Sequence, residues 1–289
     1  MLFDIFRELR PKQWTKNIII FAALIFSKNL FQFDHVLLSV IAFAGFCFLS
    51  SAVYVMNDLV DRERDKQHPV KCKRPIAAGK IGVSLALAML ILLLLMSLAA
   101  ASLLNIKYLL VMAVYFIIQL SYSFYIKHIV ILDVFAVASG FFLRAIAGGY
   151  AINVPLSSWL LICTILLSLF LAISKRRQEL VSLESGAGEH RAVLGSYSTL
   201  LLDQMIAIVT SSTVVAYSLY TLSPETAAKF HTENLVFTVP LVLYAIFRYL
   251  YLIYQKGEGG RPEKVLLTDI PIIIDLILYA VIVGVVLYF

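Results

Sequence analysis

Charged residues are scarce in this sequence. Of its 289 residues only 15% are Asp, Glu, Lys or Arg, whereas 61% are hydrophobic and the mean hydropathy is +0.90. A water-soluble domain of this length cannot bury so much apolar surface, so the composition excludes an ordinary soluble enzyme. It predicts an all-α polytopic membrane protein instead.

Cysteine is also scarce, and we expect no cleavable leader at the start of this sequence. The three cysteines (Cys47, Cys72 and Cys163) lie far apart, which predicts neither a disulfide framework nor a thiolate metal site. The amphiphilic start FRELRPKQW precedes a segment without a small-residue cleavage site. We therefore expect residues 1–16 to lie along the membrane interface, with Trp14 at the level of the headgroups.

Long apolar runs, in contrast, are abundant. About 20 apolar residues are needed to cross a hydrocarbon layer of roughly 30 Å. The sequence predicts about nine such spans within a single domain over residues 1–289, at 17–33, 36–56, 82–104, 107–126, 129–152, 156–174, 203–222, 235–255 and 271–289.

The distribution of Lys and Arg predicts the orientation. With the N-terminus inside, the inner segments carry nineteen of these residues and the outer segments three. The positive-inside rule then predicts a multi-pass protein of the inner (plasma) membrane with a cytoplasmic N-terminus. The net charge of +6 belongs to that face, which favours anionic lipids and substrates and not nucleic acid. Two large inner loops, at 57–81 and 175–202, are expected to close over one cytoplasm-facing cavity.

Residues 57–75 concentrate the charge, with four acidic and six basic residues. Asp58, Asp61 and Asp65 share one face if the segment is helical. Carboxylates so placed repel one another unless a cation lies between them, and oxygen ligands with phosphates suit Mg²⁺. The basic run that follows could hold the phosphates. The alternative is a solubilising loop with helical ion pairs, such as Asp58 with Arg62.

The same segment resembles a known motif. Asn57-Asp58-x-x-Asp61-x-x-x-Asp65, followed by Lys73-Arg74-Pro75-Ile76, is similar to the first Asp-rich motif of the UbiA-type intramembrane prenyltransferases. The helix count and the two large loops are similar too. The resemblance implies that Asn57, Asp58, Asp61 and Asp65 bind Mg²⁺ and a pyrophosphate group.

The second acidic motif of that family is missing. Typical aromatic prenyltransferases of the family have DxxxD after the sixth helix, where this chain reads Lys175-Arg176-Arg177-Gln178-Glu179. With this departure the sequence resembles the decaprenyl-phosphate phosphoribosyltransferase branch of the family. Three further segments carry the same resemblance: RPKQWTKN (10–17), Tyr122-Ser123 with Lys127, and Asp133-Val134 with Leu143-Arg144-Ala145-x-Ala147-Gly148.

That branch implies a reaction and a set of residues. Phosphoribosyl pyrophosphate (PRPP) would donate 5-phosphoribose to a polyprenyl (decaprenyl) phosphate, releasing pyrophosphate, for arabinose-lipid synthesis in the cell envelope. The acceptor phosphate is ionised at pH 7, so positioning and electrostatics suffice without a strong general base. We expect inversion at C1. The expected catalytic residues are Asp58, Asp61 and Asp133; the expected substrate-binding residues are Lys12, Lys16, Asn17, Asn57, Lys73, Arg74, Tyr122, Lys127, Arg144, Lys175, Arg176 and Glu179.

Arg144 has two interpretations. It shares a helix face with Asp133, but about 16 Å of helix separates them, too far for a direct pair. An arginine inside a membrane helix faces a cavity or a partner. Arg144 therefore either contributes to the site or locks the bundle, where Gly148 and Gly149 permit close packing.

Two rival functions stay open at this point. An aromatic or heme-type prenyltransferase shares the fold but uses a prenyl diphosphate, and the missing DxxxD argues against it. A transporter would line a path with Asp133, Arg144 and Arg248, yet the polar residues concentrate at one face of the membrane. Acceptor length is not fixed by the sequence, and a homo-oligomer remains open.

Overall fold

The computed structural model describes residues 2–68, 70–184, 192–260, 265 and 267–288. The described residues form helices and contain no strand. We number the helices α1 Leu2–Glu8, α2 Ala22–Phe26, α3 Phe33–Val60, α4 Arg62–Lys66, α5 Val83–Ser102, α6 Ile106–Phe124, α7 Leu132–Ala151, α8 Ser158–Glu184, α9 Thr199–Leu222, α10 Pro224–Phe230, α11 Val239–Lys256 and α12 Ile270–Tyr288.

Eight of the described helical segments are long and apolar enough to cross a membrane. They correspond to the second to ninth predicted spans, usually within a few residues, so the all-α multi-pass architecture is confirmed. Val83–Ser102, for example, coincides with the prediction of 82–104. The largest difference is at α8, which ends at Glu184, ten residues past the end of the predicted span.

The first predicted span, 17–33, has a different structure. Residues Pro11–Phe21 form a 3₁₀ helix, and only the five residues of α2 after it are α-helical. Runs of 3₁₀ helix this long are uncommon. Here the side chain of Asn17 is buried and donates to Cys47 Sγ at 3.2 Å and Ser50 Oγ at 3.4 Å on α3. These contacts hold the segment against α3 instead of letting it continue as one regular helix.

The chain divides into two compact units. Unit 1 comprises Met1–Phe124 and Leu143–Pro155, and unit 2 comprises Tyr125–Phe142 and Leu156–Phe289. Each unit has its own buried apolar cluster. The single-domain assignment over residues 1–289 stays a prediction.

Small residues set the packing in unit 1. A Cβ added at Gly45 of α3 would lie 2.9 Å from the Tyr108 hydroxyl and 3.1 Å from the Ala100 Cβ. A Cβ at Gly148 of α7 would lie 2.1 Å from the carbonyl oxygen of Ile20. Because the Tyr108 hydroxyl can lie against Gly45, it donates a hydrogen bond to the Ala42 carbonyl oxygen at 2.7 Å. Gly148 brings α7 into backbone contact with the 3₁₀ segment.

Unit 2 is built around α8, α9, α11 and α12. Helix α8 packs along α9, and α11 packs along α12. Phe170 and Tyr249 meet edge to face with ring centroids 5.2 Å apart, the arrangement that aromatic quadrupoles favour. At the end of α11, Gly257 takes a left-handed conformation (φ 66°), the usual glycine termination of a helix.

The two expected inner loops begin as helix. Helix α3 continues through Asn57 and Asp58 to Val60, and α8 continues through residues 175–184. Arg191, Arg261 and Lys264, which contribute to the predicted orientation, lie outside the described residues. The orientation stays a prediction.

Candidate active site

The acidic motif of unit 1 folds around a break in the helix. Asp58 lies in the last turn of α3, Asp61 stands between α3 and α4, and Asp65 lies in α4. Asp58 and Asp65 are buried, whereas Asp61 is half-buried. The single continuous helix face expected for the three carboxylates is therefore interrupted at Asp61.

Arg74 joins two of these carboxylates. Its Nη1 donates to Asp58 Oδ1 at 3.0 Å and to Asp65 Oδ2 at 2.6 Å. Burial raises the pKa of Asp65, and the Arg74 guanidinium opposes that shift. Arg74 was expected to bind the substrate; here it forms ion pairs with two carboxylates of the acidic motif, and its binding role stays a prediction.

Arg10 is a second cation on Asp58. Its Nη2 donates to both carboxylate oxygens, at 2.7 and 2.5 Å, and its guanidinium lies over the Tyr54 ring, 4.9 Å from the centroid. Arg10 adopts a left-handed backbone (φ 52°), rare for a residue with a side chain. Arg10 belongs to the RPKQWTKN segment, but it was not among the predicted site residues.

Glu8 also lies beside Asp58, although the sequence did not predict it as a site residue. Its side chain is buried, and neither carboxylate oxygen has a hydrogen-bond donor among the described residues. Burial first, and then the neighbouring Asp58 carboxylate, raises the pKa of Glu8 to about 8. Little in the sequence distinguishes Glu8, because α1 contains a second acidic residue, Asp4, beside its one basic residue, Arg7.

The N-terminal segment is fixed to α3 by a short chain of hydrogen bonds. Trp14 Nε1 donates to Ser51 Oγ at 3.0 Å, and Ser51 Oγ donates to the Leu9 carbonyl oxygen at 2.8 Å. These bonds hold the backbone between Glu8 and Arg10 beside α3. The acidic cluster is therefore built by residues far apart in the chain.

The remaining expected contacts of unit 1 vary in placement. The Asn57 side-chain oxygen accepts a short hydrogen bond from Ser123, at the end of α6. Tyr122 and Lys16 are half-buried, whereas Lys12 and Lys73 are exposed. Their binding roles stay predictions.

The donor chemistry of the acidic cluster fits a divalent cation. It offers buried carboxylates and an amide oxygen, the hard ligands that Mg²⁺ takes, and two buried oxygens of Glu8 that lack donors. Among the described residues, no three acidic, His or Cys side chains come together closely enough to hold a metal ion. In this arrangement guanidinium groups contact the carboxylates, so the magnesium set Asn57, Asp58, Asp61 and Asp65 stays a prediction.

Arg144 belongs to a buried network of unit 1. Its Nε donates to Asn17 Oδ1 at 2.6 Å, and its Nη2 donates to the Tyr115 hydroxyl at 2.9 Å. The guanidinium lies over the Tyr115 ring at 4.8 Å. Together with Gly148, this network ties α7 to the 3₁₀ segment, which supports the packing interpretation of Arg144.

A second cluster of charges lies in unit 2. Arg176 Nη2 lies 2.7 Å from Asp133 Oδ2, and Arg176 Nη1 donates to Glu179 in a short ion pair. The side chains of Asp133 and Arg176 are only 0% and 5% exposed. Arg176 was expected to bind the substrate; here its guanidinium pairs with two carboxylates, and its binding role stays a prediction.

Tyr197 completes this cluster. Its hydroxyl donates to Asp133 Oδ1 at 2.7 Å and accepts from the Ile131 N–H at 2.7 Å. Ile131 has φ 71°, a strained conformation for a β-branched residue. Burial first, and then the hydrogen bond to Asp133, raises the pKa of Tyr197 to about 12. Tyr197 therefore stays a donor at physiological pH.

The other cations of unit 2 lie nearer the surface. Lys175 is exposed and Lys127 half-buried, in a short 3₁₀ helix. Arg177 pairs with Asp203 and lies over the Tyr254 ring at 4.4 Å. Arg248 donates to both oxygens of Asp269, at 3.2 and 2.9 Å.

Comparison with known proteins decides the family. Residues 18–267 match the model of the UbiA prenyltransferase family. The chain belongs to this family. Among curated relatives, a decaprenyl-phosphate phosphoribosyltransferase from Mycolicibacterium smegmatis is 33% identical, with 100% of this chain and 94% of the relative covered. One of the same name from Corynebacterium glutamicum is 34% identical over 91% of this chain and 80% of that protein.

Solved structures confirm the UbiA fold. A UbiA homologue from Archaeoglobus fulgidus bound to GPP and Mg²⁺ has a TM-score of 0.71, with 20% identity and coverage of 99% of this chain and 100% of that one. The same homologue bound to DMAPP and Mg²⁺ has a TM-score of 0.69, with 20% identity and coverage of 97% and 98%. At this identity the likeness establishes the fold of this UbiA member.

Proposed function

We propose that this UbiA-family protein transfers 5-phosphoribose from PRPP to a polyprenyl phosphate in a Mg²⁺-dependent reaction that releases pyrophosphate. The observation that carries the proposal is the near-full-length similarity to decaprenyl-phosphate phosphoribosyltransferases, at 33–34% identity. The departure from a second DxxxD motif supports it, because that position holds Lys175, Arg176 and Arg177. The product would serve an arabinose-lipid pathway of the cell envelope.

The reaction replaces one C1–O bond by another. An oxygen of the polyprenyl phosphate forms a bond to C1 of the ribose, and the bond from C1 to the pyrophosphate oxygen breaks with its electron pair. Because the leaving group departs as the acceptor attacks from the opposite side, C1 inverts. The acceptor is already an anion, so no group of the protein has to remove a proton.

We assign pyrophosphate binding to the acidic cluster of unit 1. Asn57, Asp58, Asp61 and Asp65 would hold Mg²⁺, which supplies positive charge to the departing pyrophosphate. Arg10 and Arg74 already lie at ion-pair distance from Asp58. Their side chains are 26% and 29% exposed, so a phosphate oxygen can reach the guanidinium groups from solvent.

We propose further phosphate contacts with basic residues within each unit. Lys73 is exposed beside Arg74, and Lys12 is exposed in the N-terminal segment. In unit 2, Lys175 is the exposed cation of the basic motif, and the Arg176–Asp133 pair orients the end of α8 that carries it. Arg176 and Asp133 would then act as positioning residues.

We further propose that the N-terminus and both clusters face the cytoplasm. The excess of Lys and Arg in the inner segments supports this orientation. A soluble, multiply anionic donor and a lipid acceptor would meet at that surface. Cysteine labelling of an introduced S196C, read out with a membrane-impermeant maleimide in inverted and right-side-out vesicles, tests the orientation.

The substrate assignment is tested with the purified protein in detergent. Radiolabelled PRPP and decaprenyl phosphate with Mg²⁺ should give a labelled, organic-extractable product, identified by mass spectrometry as the phosphoribosylated lipid. Chelation of Mg²⁺ should abolish its formation. A parallel reaction receives geranyl diphosphate with 4-hydroxybenzoate, and product from that reaction alone would overturn the proposal in favour of aromatic prenyl transfer.

A further inference from the structure

We propose that Glu8, from the N-terminal helix α1, is an additional ligand of the divalent cation at the acidic cluster of unit 1. The inference deepens the proposed function, on whose metal site it rests. Glu8 lies outside residues 18–267, the part of the chain that matches the family model. The Asp-rich motif alone therefore does not identify it.

The burial of Glu8 is the first observation. Its side chain is almost completely inaccessible, yet neither Oε1 nor Oε2 has a hydrogen-bond partner among the described residues. A buried carboxylate without donors is costly, because it loses the hydration that stabilises its charge. A bound cation is the kind of ligand that compensates such a group.

The neighbour of Glu8 is the second observation. Glu8 neighbours Asp58, the central carboxylate of the cluster. Arg10, two residues after Glu8, contacts Asp58 through its guanidinium, which places this part of the N-terminal segment at the cluster. Two carboxylates that approach each other repel unless positive charge lies between them.

The charge balance points the same way. The cluster contains three buried carboxylates, on Glu8, Asp58 and Asp65, and two guanidinium groups, on Arg10 and Arg74. Both arginines contact Asp58, and Arg74 also contacts Asp65. The ion pairs of these two cations are therefore formed with the aspartates. Among the described residues, neither arginine donates a hydrogen bond to Glu8, whose two oxygens therefore remain open to a metal ion.

The position of Glu8 is fixed by the fold. Glu8 ends α1, and the next residue, Leu9, accepts a hydrogen bond from Ser51 of α3 through its carbonyl oxygen. Ser51 also accepts from Trp14. The backbone on the C-terminal side of Glu8 is therefore tied to the helix that carries Asp58, which holds the two carboxylates together.

The test measures binding of Mn²⁺ alone, without PRPP or lipid. Mn²⁺ takes the place of Mg²⁺ at oxygen sites and reports its free concentration by electron paramagnetic resonance. The full chain in detergent is titrated as wild type, E8Q, D58N and D4N. Asp4 is the matched control, since it lies one turn earlier on α1 and pairs with Lys80 at 3.6 Å.

The expected result is a loss of Mn²⁺ affinity of about tenfold or more in E8Q, with D4N close to wild type. The thermal midpoint without metal should be equal or higher in E8Q, because the variant removes a buried carboxyl group whose oxygens have no hydrogen-bond partner among the described residues. The increase in midpoint caused by Mn²⁺ should be smaller. A merely structural Glu8 would instead lower the midpoint and leave the Mn²⁺ affinity unchanged.

The outcomes separate this inference from the proposed function. If E8Q binds Mn²⁺ like wild type while D58N does not, the role of Glu8 is overturned and the metal role of the Asp-rich motif stands. If wild type binds no Mn²⁺, both metal assignments are overturned. If E8Q weakens Mn²⁺ binding but the labelled-PRPP reaction gives no lipid product, the ligand role of Glu8 stands and the PRPP assignment is overturned.

Should E8Q fail to fold, E8D replaces it, since the shorter carboxylate keeps the charge but shifts the ligand position.

Discussion

Both units contain a cluster of acidic residues bound by arginine, but the two clusters are built differently. In unit 1 the side chains of Arg10 and Arg74 are 26% and 29% exposed and come from connecting segments. In unit 2, Arg176 is 5% exposed and comes from a continuous helix. The aspartates are buried in both clusters, so removing an arginine leaves an uncompensated charge in either, but only the arginines of unit 1 keep contact with solvent. The first cluster is suited to exchanging ligands and the second to holding a structure.

The largest expected effect comes from breaking the buried pair. R176A would leave Asp133 fully buried without its counter-ion, which should cost about 3–5 kcal/mol of unfolding free energy. The measurement is an SDS titration in mixed micelles. R177A is the matched control, because the Asp203 partner of Arg177 is 33% exposed and its loss should cost about 1 kcal/mol or less. Equal destabilisation by the two variants would contradict the structural role of the unit 2 cluster.

Neutralising the central carboxylate of unit 1 should affect turnover most. D58N should lower phosphoribosyl transfer by at least about a hundredfold, because it removes a metal ligand and the partner of both arginines. The assay is formation of labelled lipid from PRPP. E63Q serves as the control, since Glu63 is exposed and pairs with Lys66 in the same segment. Preserved turnover in D58N would exclude the acidic cluster from the reaction.

A smaller effect is expected from changing the geometry of the bridging cation. Arg74 binds two carboxylates through one nitrogen, and lysine keeps the charge but not the planar donor array. R74K should raise KM for PRPP by about tenfold. R64K on exposed Arg64 should leave KM unchanged. If R74K instead lowers the thermal midpoint and leaves the KM for PRPP unchanged, Arg74 has a structural role. The proposed difference between the two clusters would then be wrong.

The smallest effect concerns the Tyr197 hydroxyl. Y197F removes the donor to Asp133 and the acceptor for the Ile131 N–H, which should cost about 1 kcal/mol at pH 7. Folding raises the pKa of Tyr197 from 10.0 to about 12, so this hydroxyl's contribution is present below pH 10 and is lost as pH rises towards 12.

The difference in thermal midpoint between wild type and Y197F should therefore shrink from pH 7 to pH 11. S196A, next to Tyr197 in the chain, is the control. A difference that stays constant with pH would mean that the hydroxyl contributes through packing alone.

Apolar runs were sufficient to predict most of the fold. α5 and α12 lie within two residues of their predicted spans, since a run of apolar side chains has to be helical in hydrocarbon. The segment at 17–33 failed this rule because its structure depends on Asn17, a polar residue whose partners lie on another helix. Hydropathy records the apolar character of such a segment but not its backbone geometry.

The acidic cluster was predictable only in part. Asp58, Asp65 and Arg74 lie within seventeen residues, so their charges could be considered together. Glu8 and Arg10 join them from 48 to 50 residues away, and Arg176 meets Asp133 across 43 residues. No periodic pattern connects positions so distant. Such contacts depend on how the helices pack, which a single sequence does not encode in a readable form.

The contact between Gly148 and Ile20 has a consequence for comparing related sequences. A methyl group at position 148 would lie 2.1 Å from a backbone oxygen, and a backbone cannot move aside as a flexible side chain can. A homologue with alanine or a larger residue at this position must therefore route its N-terminal segment differently. Glycine at 148 thus serves as a one-residue marker for transferring this arrangement of residues 11–21, and with it the placement of Glu8 and Arg10, to other members of the family.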